Sequence, residues 1–133
     1  MARILVIDDE KDIRVVLEEV LKRAGYEAVT AADARKGLEM VEAGGIDLVI
    51  TDIIMPGMDG VATVEKIRCK HPDTPIIVIS GGGNVAPMEY APGAIATTAY
   101  LESARKAGAD RTLTKPFSRE DILEAISDLL NRD

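Results

Sequence analysis

The sequence predicts an α/β domain built on a doubly wound, five-stranded parallel sheet, and three observations carry that prediction. Short runs rich in β-branched residues alternate with longer amphipathic stretches, with no internal repeat and no low-complexity linker. Some of those runs are apolar throughout while others are mixed, which separates central strands from edges. Glycine and proline punctuate the joints between them. At 133 residues and 47% hydrophobic, the chain has the length of one domain and the means to bury a core without disulfides, so residues 1–133 are expected to form a single unit.

The elements follow in order. Ile4 to Ile7 is a continuous apolar run and reads as strand one. Ile13, Val16, Leu17, Val20, Leu21 and Ala24 then recur at helical spacing up to Gly25, a natural residue just past a helix end. Strand two, Tyr26 to Thr30, is weaker; the helix after it carries Ala34, Leu38 and Val41 and stops at Gly44-Gly45. Strand three, Leu48 to Thr51, runs into the turn MPGMDG at 55–60, and Val61, Val64 and Ile67 share a face of the third helix, ended by Pro72 and Pro75. Strand four, Ile76 to Ile79, is the most apolar. An Ala-rich stretch at about 94–107 reads as helix four, Arg111 to Thr114 as strand five, and the capping-box-like SRED at 118–121 opens helix five.

Strands one, three and four read as buried on both faces, two and five as mixed. The order 2-1-3-4-5 meets that requirement, and right-handed crossovers then place the five helices on both faces. The chain direction reverses between strands one and three, so a ligand crevice is expected at their carboxyl ends.

Composition excludes several classes of function. Sixteen Lys and Arg against 23 Asp and Glu leave a net charge of −7, which argues against binding nucleic acid by phosphate neutralisation. One Phe, three Tyr and no Trp supply no platform for stacking bases. Cys69 is the only cysteine, which rules out an internal disulfide and suits a reducing compartment. No apolar run spans a bilayer and no signal-peptide pattern opens the chain, so the expectation is a cytoplasmic protein with no membrane partner.

At the carboxyl ends of the strands stand Asp8 and Asp9 after strand one, Asp52 after strand three, Ser80 after strand four and Lys115 after strand five. Converging carboxylates repel and call for a cation, and a hard divalent ion such as Mg²⁺ suits oxygen ligands. With that ion bound Asp52 stays ionised and is able to attack phosphorus, giving an aspartyl phosphate. Phosphoryl transfer asks chiefly for positioning and neutralisation, for which the Lys115 ammonium and the Ser80 hydroxyl are suited. Taken singly these residues have plainer readings: Asp8 and Asp9 as helix caps, Asp52 and Ser80 as turn residues, Lys115 as a surface cation. Their joint placement at four strand ends favours the site. His71, before Pro72 near a helix end, reads as structural.

With 8-DD-9, Asp52 within DIIMPGMDG at 52–60, Ser80 followed by Gly81, and KPF at 115–117, the chain resembles the response-regulator receiver domains of two-component signalling over nearly its whole length. The resemblance implies a flavodoxin-like fold of the chemotaxis-regulator type. It implies Asp52 as phosphoacceptor and Mg²⁺ held by Asp9, Asp52 and the backbone carbonyl of Ile54, with Asp8 acting through a metal-bound water. Ser80, Gly81 and Lys115 would form the phosphate-binding set, with a cis bond before Pro116. A sensor histidine kinase or phosphotransfer protein would be the donor. The face formed by helix four, strand five and helix five would carry the downstream partner, and the protein would be a monomer or a phosphorylation-dependent dimer. The family's moving aromatic falls here on Thr112, which leaves Ser80 as the other switch residue.

The expectation is therefore a stand-alone receiver: a phosphoacceptor that catalyses its own phosphorylation and dephosphorylation, and otherwise no enzyme. An inactive receiver serving as a protein-binding module stays open. A haloacid-dehalogenase-like phosphatase is less favoured, because it wants an acid two residues after the nucleophile, where Ile54 stands. A nucleotide cradle at Gly81–Gly83 lacks the Lys-Ser/Thr of a phosphate loop. Residues 80–94 hold four glycines and two prolines, so 81–94 is expected to be an extended loop before helix four and a seat of partner specificity.

Overall fold

The computed structural model describes residues 1–52, 60–80, 102, 104–114 and 117–131. It contains the strands β1 (Arg3–Ile7), β2 (Glu27–Ala31), β3 (Leu48–Asp52), β4 (Ile76–Ser80) and β5 (Arg111–Thr114). The helices are α1 (Lys11–Arg23), α2 (Ala34–Ala43), α3 (Gly60–Lys70), α4, helical at 102 and 104–107, and α5 (Arg119–Leu130). The strands form one parallel sheet in the order β2-β1-β3-β4-β5, as the apolar runs require. β3 and β4 are buried at every residue, whereas β2 and β5 carry exposed and half-buried positions, as edges do.

Two apolar layers sandwich the sheet. Leu5, Ile7, Val49, Ile76 and Val78 pack under α2, α3 and α4, with Val41, Val64, Ile67 and Ala104 from the helices. Ile4, Val6, Ile50, Ile77 and Ile79 pack under α1 and α5, with Leu17, Leu21, Ile122 and Ile126. Neighbours along each strand alternate between the two layers, the period-2 rule of a strand. Each fully buried Leu or Ile in these layers contributes about 1.5–3 kcal/mol of burial free energy.

Local chemistry sets the element ends. At the end of α1, Gly25 adopts φ +97°, its N–H donates to Lys22 O at 3.1 Å, and Tyr26 N–H donates to Leu21 O at 3.0 Å. This αL closure is where a Cβ would be strained. Asp33 caps α2, its carboxylate accepting from Lys36 N–H at 2.8 Å. At α5 the box is reciprocal: Asp121 N–H donates to Ser118 Oγ at 3.0 Å and Ser118 N–H to Asp121 Oδ2 at 3.2 Å. Gly37 has a different reason for being glycine, since a Cβ there would run into the Ile7 side chain. The bare backbone lets α2 settle on the last residue of β1, next to Asp8.

The boundaries differ from the sequence reading by one residue at four strands. Asp52 and Ser80 are the last residues of β3 and β4 rather than the residues after them. β2 begins at Glu27 because Tyr26 N–H is engaged in the helix closure. β1 begins at Arg3, whose N–H donates to Asp47 Oδ2 at 2.8 Å. Helix four upstream of 102 and the 81–94 segment lie outside the described residues.

Candidate phosphoryl site

The register brings the candidate residues to one rim. Ile7 pairs with Thr51, so Asp8, which follows, stands level with Asp52. Asp52 pairs with Ile79, so Ser80 is one step further along the neighbouring strand. With strands about 4.8 Å apart and about 3.3 Å per residue, the Asp52 and Ser80 Cα atoms are about 6 Å from each other. Alternation carries Asp8 and Asp52 to the α1/α5 side of the sheet, following Val6 and Ile50, and Ser80 to the α3/α4 side, following Val78. The acid pair and the hydroxyl thus approach the rim from opposite faces.

The side chains at this rim are buried although polar: Asp8 is 1%, Asp52 6% and Ser80 0% exposed. Carboxylate oxygens of Asp8, Glu10 and Asp52 lie within 4.8 Å of one another. Asp8 Oδ1 accepts from Glu10 N–H at 2.9 Å, its carbonyl accepts from Arg14 Nη1 at 2.8 Å, and its N–H donates to Ala31 O at 3.1 Å. Glu10 is the N-cap residue of α1, yet its side chain makes no capping bond. At 4.8 Å two carboxylates repel by about 3 kcal/mol at an effective dielectric of about 20. Such a gathering of hard oxygen donors fits a divalent cation of the Mg²⁺ class. Ser80 Oγ adds a second indication: it is buried with no hydrogen-bond partner among the described residues. A buried hydroxyl left unpaired is destabilising by about 1–3 kcal/mol, which a ligand oxygen would recover.

Asp8, Asp52 and Ser80 therefore come together as the strand ends imply. Asp9 is exposed and is not part of the trio of carboxylates. Glu10 takes the third place, a residue that counting to the strand ends does not single out. Its signal was there in the run DDE, since a glutamate at an N-cap is a weak cap and has reach to spare. Thr112 lies in β5 opposite Val78, and Arg105 Nη2 donates to its Oγ1 at 3.2 Å. Ile54, Gly81 and Lys115 lie outside the described residues, as does Pro116. His71 stands beside Glu42, Nε2 to Oε1 3.6 Å, between α2 and α3 and away from the rim. Among the described residues, no helix is long and apolar enough to cross a membrane.

The chain is similar to known proteins. Residues 4–127 match the family model of the response regulator receiver domain. The chain is 39% identical over 120 residues to the uncharacterized transcriptional regulatory protein YrkP of Bacillus subtilis, covering 90% of this chain and 46% of that protein. It spans about half the length of the curated relatives it matches, 46%, 48% and 50% for three of them. Among solved structures it is similar to a CheY-like receiver domain protein of Methanospirillum hungatei, with TM-score 0.83, 30% identity and coverage of 98% and 94%. It is also similar to the response regulator TrrA of Thermotoga maritima, solved in complex with Mg(2+)-BeF, with TM-score 0.79, 34% identity and coverage of 98% and 100%. The sheet order, the carboxylates at its rim and these matches lead to one conclusion: the chain belongs to the response regulator receiver domains of two-component systems.

Proposed function

We propose that residues 1–133 act as one receiver unit in which Asp52 accepts a phosphoryl group from the phosphohistidine of a sensor kinase or phosphotransfer protein. The observation that carries this reading is the meeting of the Asp52, Asp8 and Glu10 carboxylates near the buried Ser80 hydroxyl, which has no hydrogen-bond partner among the described residues. An Asp52 carboxylate oxygen forms the new bond to phosphorus, the phosphorus–nitrogen bond of the donor breaks, and the departing imidazole keeps the electron pair and takes up a proton. Asp8 and Asp52 would hold Mg²⁺, with Glu10 in reach, and the family pattern adds Asp9 and the Ile54 carbonyl. That cation supplies neutralisation of the carboxylates and of the charge on the transferring oxygens. Ser80 donates its hydroxyl to one phosphoryl oxygen, and Lys115 and the space beside Gly81 complete the phosphate set. The Mg(2+)-BeF complex of the Thermotoga relative supports the cation.

The modified domain signals by a conformational shift in which Ser80 and Thr112 take part. It passes that shift to a downstream protein through the face of α4, β5 and α5, as a monomer or a phosphorylation-dependent dimer. The chemistry is self-catalysed phosphorylation and dephosphorylation, in a reducing cytoplasm. Incubation with acetyl phosphate, with and without Mg²⁺, followed by intact mass on the wild type and Asp52→Ala, tests the reading. A Mg²⁺-dependent phosphoryl mass on the wild type alone is expected. No added mass on the wild type, or equal labelling of the variant, overturns it in favour of an inactive, protein-binding receiver.

A further inference from the structure

Between the carboxyl halves of α2 and α3 lies a cavity of about 370 Å³ that phosphoryl transfer does not use. Half-buried Leu38 and buried Val41 of α2, with buried Ile67 of α3, give it an apolar floor. Glu42, Lys66, Lys70 and His71 stand around that floor. In a parallel sheet each crossover helix runs back from the carboxyl edge to the amino edge, so the cavity lies toward the end remote from Asp52. An apolar hollow of this size with a few polar groups at its margin has the makeup of a small-molecule site.

The polar groups are unevenly matched. Lys70 Nζ donates to Glu42 Oε2 at 3.1 Å, while His71 Nε2 stands 3.6 Å from Oε1, too far for a hydrogen bond. That nitrogen is buried with no hydrogen-bond partner among the described residues, although 31% of the His71 side chain is exposed. Lys66, one turn before Lys70, is exposed and makes no ion pair among the described residues. Two ammonium groups against one carboxylate leave the margin one positive charge in excess, with His71 neutral, in a chain whose net charge is −7. We propose that this cavity binds a free monocarboxylate with a short aliphatic chain. The chain buries its methylenes against Leu38, Val41 and Ile67. The carboxylate pairs with the Lys66 ammonium and accepts from the Nε2–H of His71, giving that nitrogen the partner it lacks. A monoanion matches the single excess charge, which a phosphate head group overshoots. Glu42 competes with the ligand for Lys70 and His71. The proposal stands independently of the phosphoryl reading.

Cys69 reports on the cavity directly, because it lines it, is exposed, and is the only cysteine of the chain. Alkylation of the full chain by N-ethylmaleimide, followed by intact mass, should slow about threefold with octanoate at about twice its dissociation constant, the factor by which empty sites are depleted. Octanol, which has the chain without the charge, and acetate, which has the charge without the chain, should protect far less. Each variant is compared with its own rate in the absence of ligand. Lys66→Gln should weaken octanoate about threefold, the effect of one exposed ion pair, and Glu42→Gln, which removes the competing carboxylate, should strengthen it by a similar factor. His71→Leu should weaken it, and His71→Gln, whose amide nitrogen reaches about as far as Nε2, should recover part of the loss. Absence of protection by octanoate, equal protection by octanol, or effects of the same sign from Lys66→Gln and Glu42→Gln overturns the proposal. So does protection that grows with protein concentration without octanoate, since it places a second copy of the chain in the cavity.

Discussion

The two ends of the sheet hold polar clusters of opposite character. At the amino end of β4, Arg68 donates from Nε and Nη2 to Gly108 O at 3.2 and 2.8 Å and from Nη2 to Asp110 Oδ2 at 2.7 Å. Asp110 Oδ2 also accepts from Ile76 N–H at 2.8 Å, and Asp110 N–H returns a bond to Ile76 O. One guanidinium and one carboxylate there tie α3, β4 and the turn before β5, each charge facing its opposite. At the carboxyl end like charges are gathered instead, and a buried hydroxyl finds no partner among the described residues. Polar groups that satisfy one another stabilise a fold, whereas like charges crowded at a strand end are held for something that arrives. The first cluster is architecture and the second is a site.

That contrast is open to being broken by substitution, first at the architectural end. Asp110→Asn removes the charge that faces Arg68 in a part-buried pair and should destabilise the protein by about 2 kcal/mol, read from the urea midpoint. Phosphoryl uptake per folded molecule should be unchanged; a loss of uptake with no loss of stability would reverse the assignment. At the site end the sign should invert. Asp52→Asn relieves the carboxylate crowding and should raise stability by about 1 kcal/mol while removing the increase in Tm that Mg²⁺ gives the wild type. If the variant is less stable than the wild type without cation, the crowding argument fails. Ser80→Ala discards a buried hydroxyl with no partner among the described residues and should raise stability by about 1 kcal/mol, with a marked fall in phosphoryl uptake.

The smallest effect belongs to a third cluster, between α2 and α3. The Lys70 ammonium hydrogen-bonded to Glu42, with His71 beside it, holds the Glu42 carboxyl below its ordinary value. A carboxylate whose folded pKa is lowered adds stability above its unfolded pKa, and that stability is lost as pH falls through the folded value. Wild type should therefore lose its advantage over Glu42→Gln on acidification below the ordinary glutamate range. Equal pH profiles in urea unfolding would show that this fully exposed contact contributes nothing. The cavity there, about 370 Å³ and lined by Leu38, Val41, Ile67 and Cys69 among others, holds no grouped metal ligands among the described residues.

Much of the fold was legible because it rests on local rules. The uninterrupted apolar runs at Ile4, Leu48 and Ile76 require burial on both faces, and that alone separates the central strands from YEAVT and RTLT at the edges. Gly25, Gly44 and Ser118 mark helix ends by backbone and capping chemistry that acts within a few residues. The site was legible only in outline. Asp8, Asp52 and Ser80 follow from counting to the strand ends, but Glu10 does not, because its place depends on how α1 leaves β1 and on which way a long side chain then turns.

From its own residues the sequence determined the element order, the central and edge strands, and the rim positions of Asp8, Asp52 and Ser80, since periodicity and turn chemistry act between near neighbours. Only the tertiary structure decided that Glu10 rather than Asp9 joins the buried carboxylates, that Ser80 and Asp52 come from opposite faces, and that Arg105 reaches Thr112. Those depend on distances of a few ångströms between segments far apart along the chain, which packing sets and no local pattern encodes.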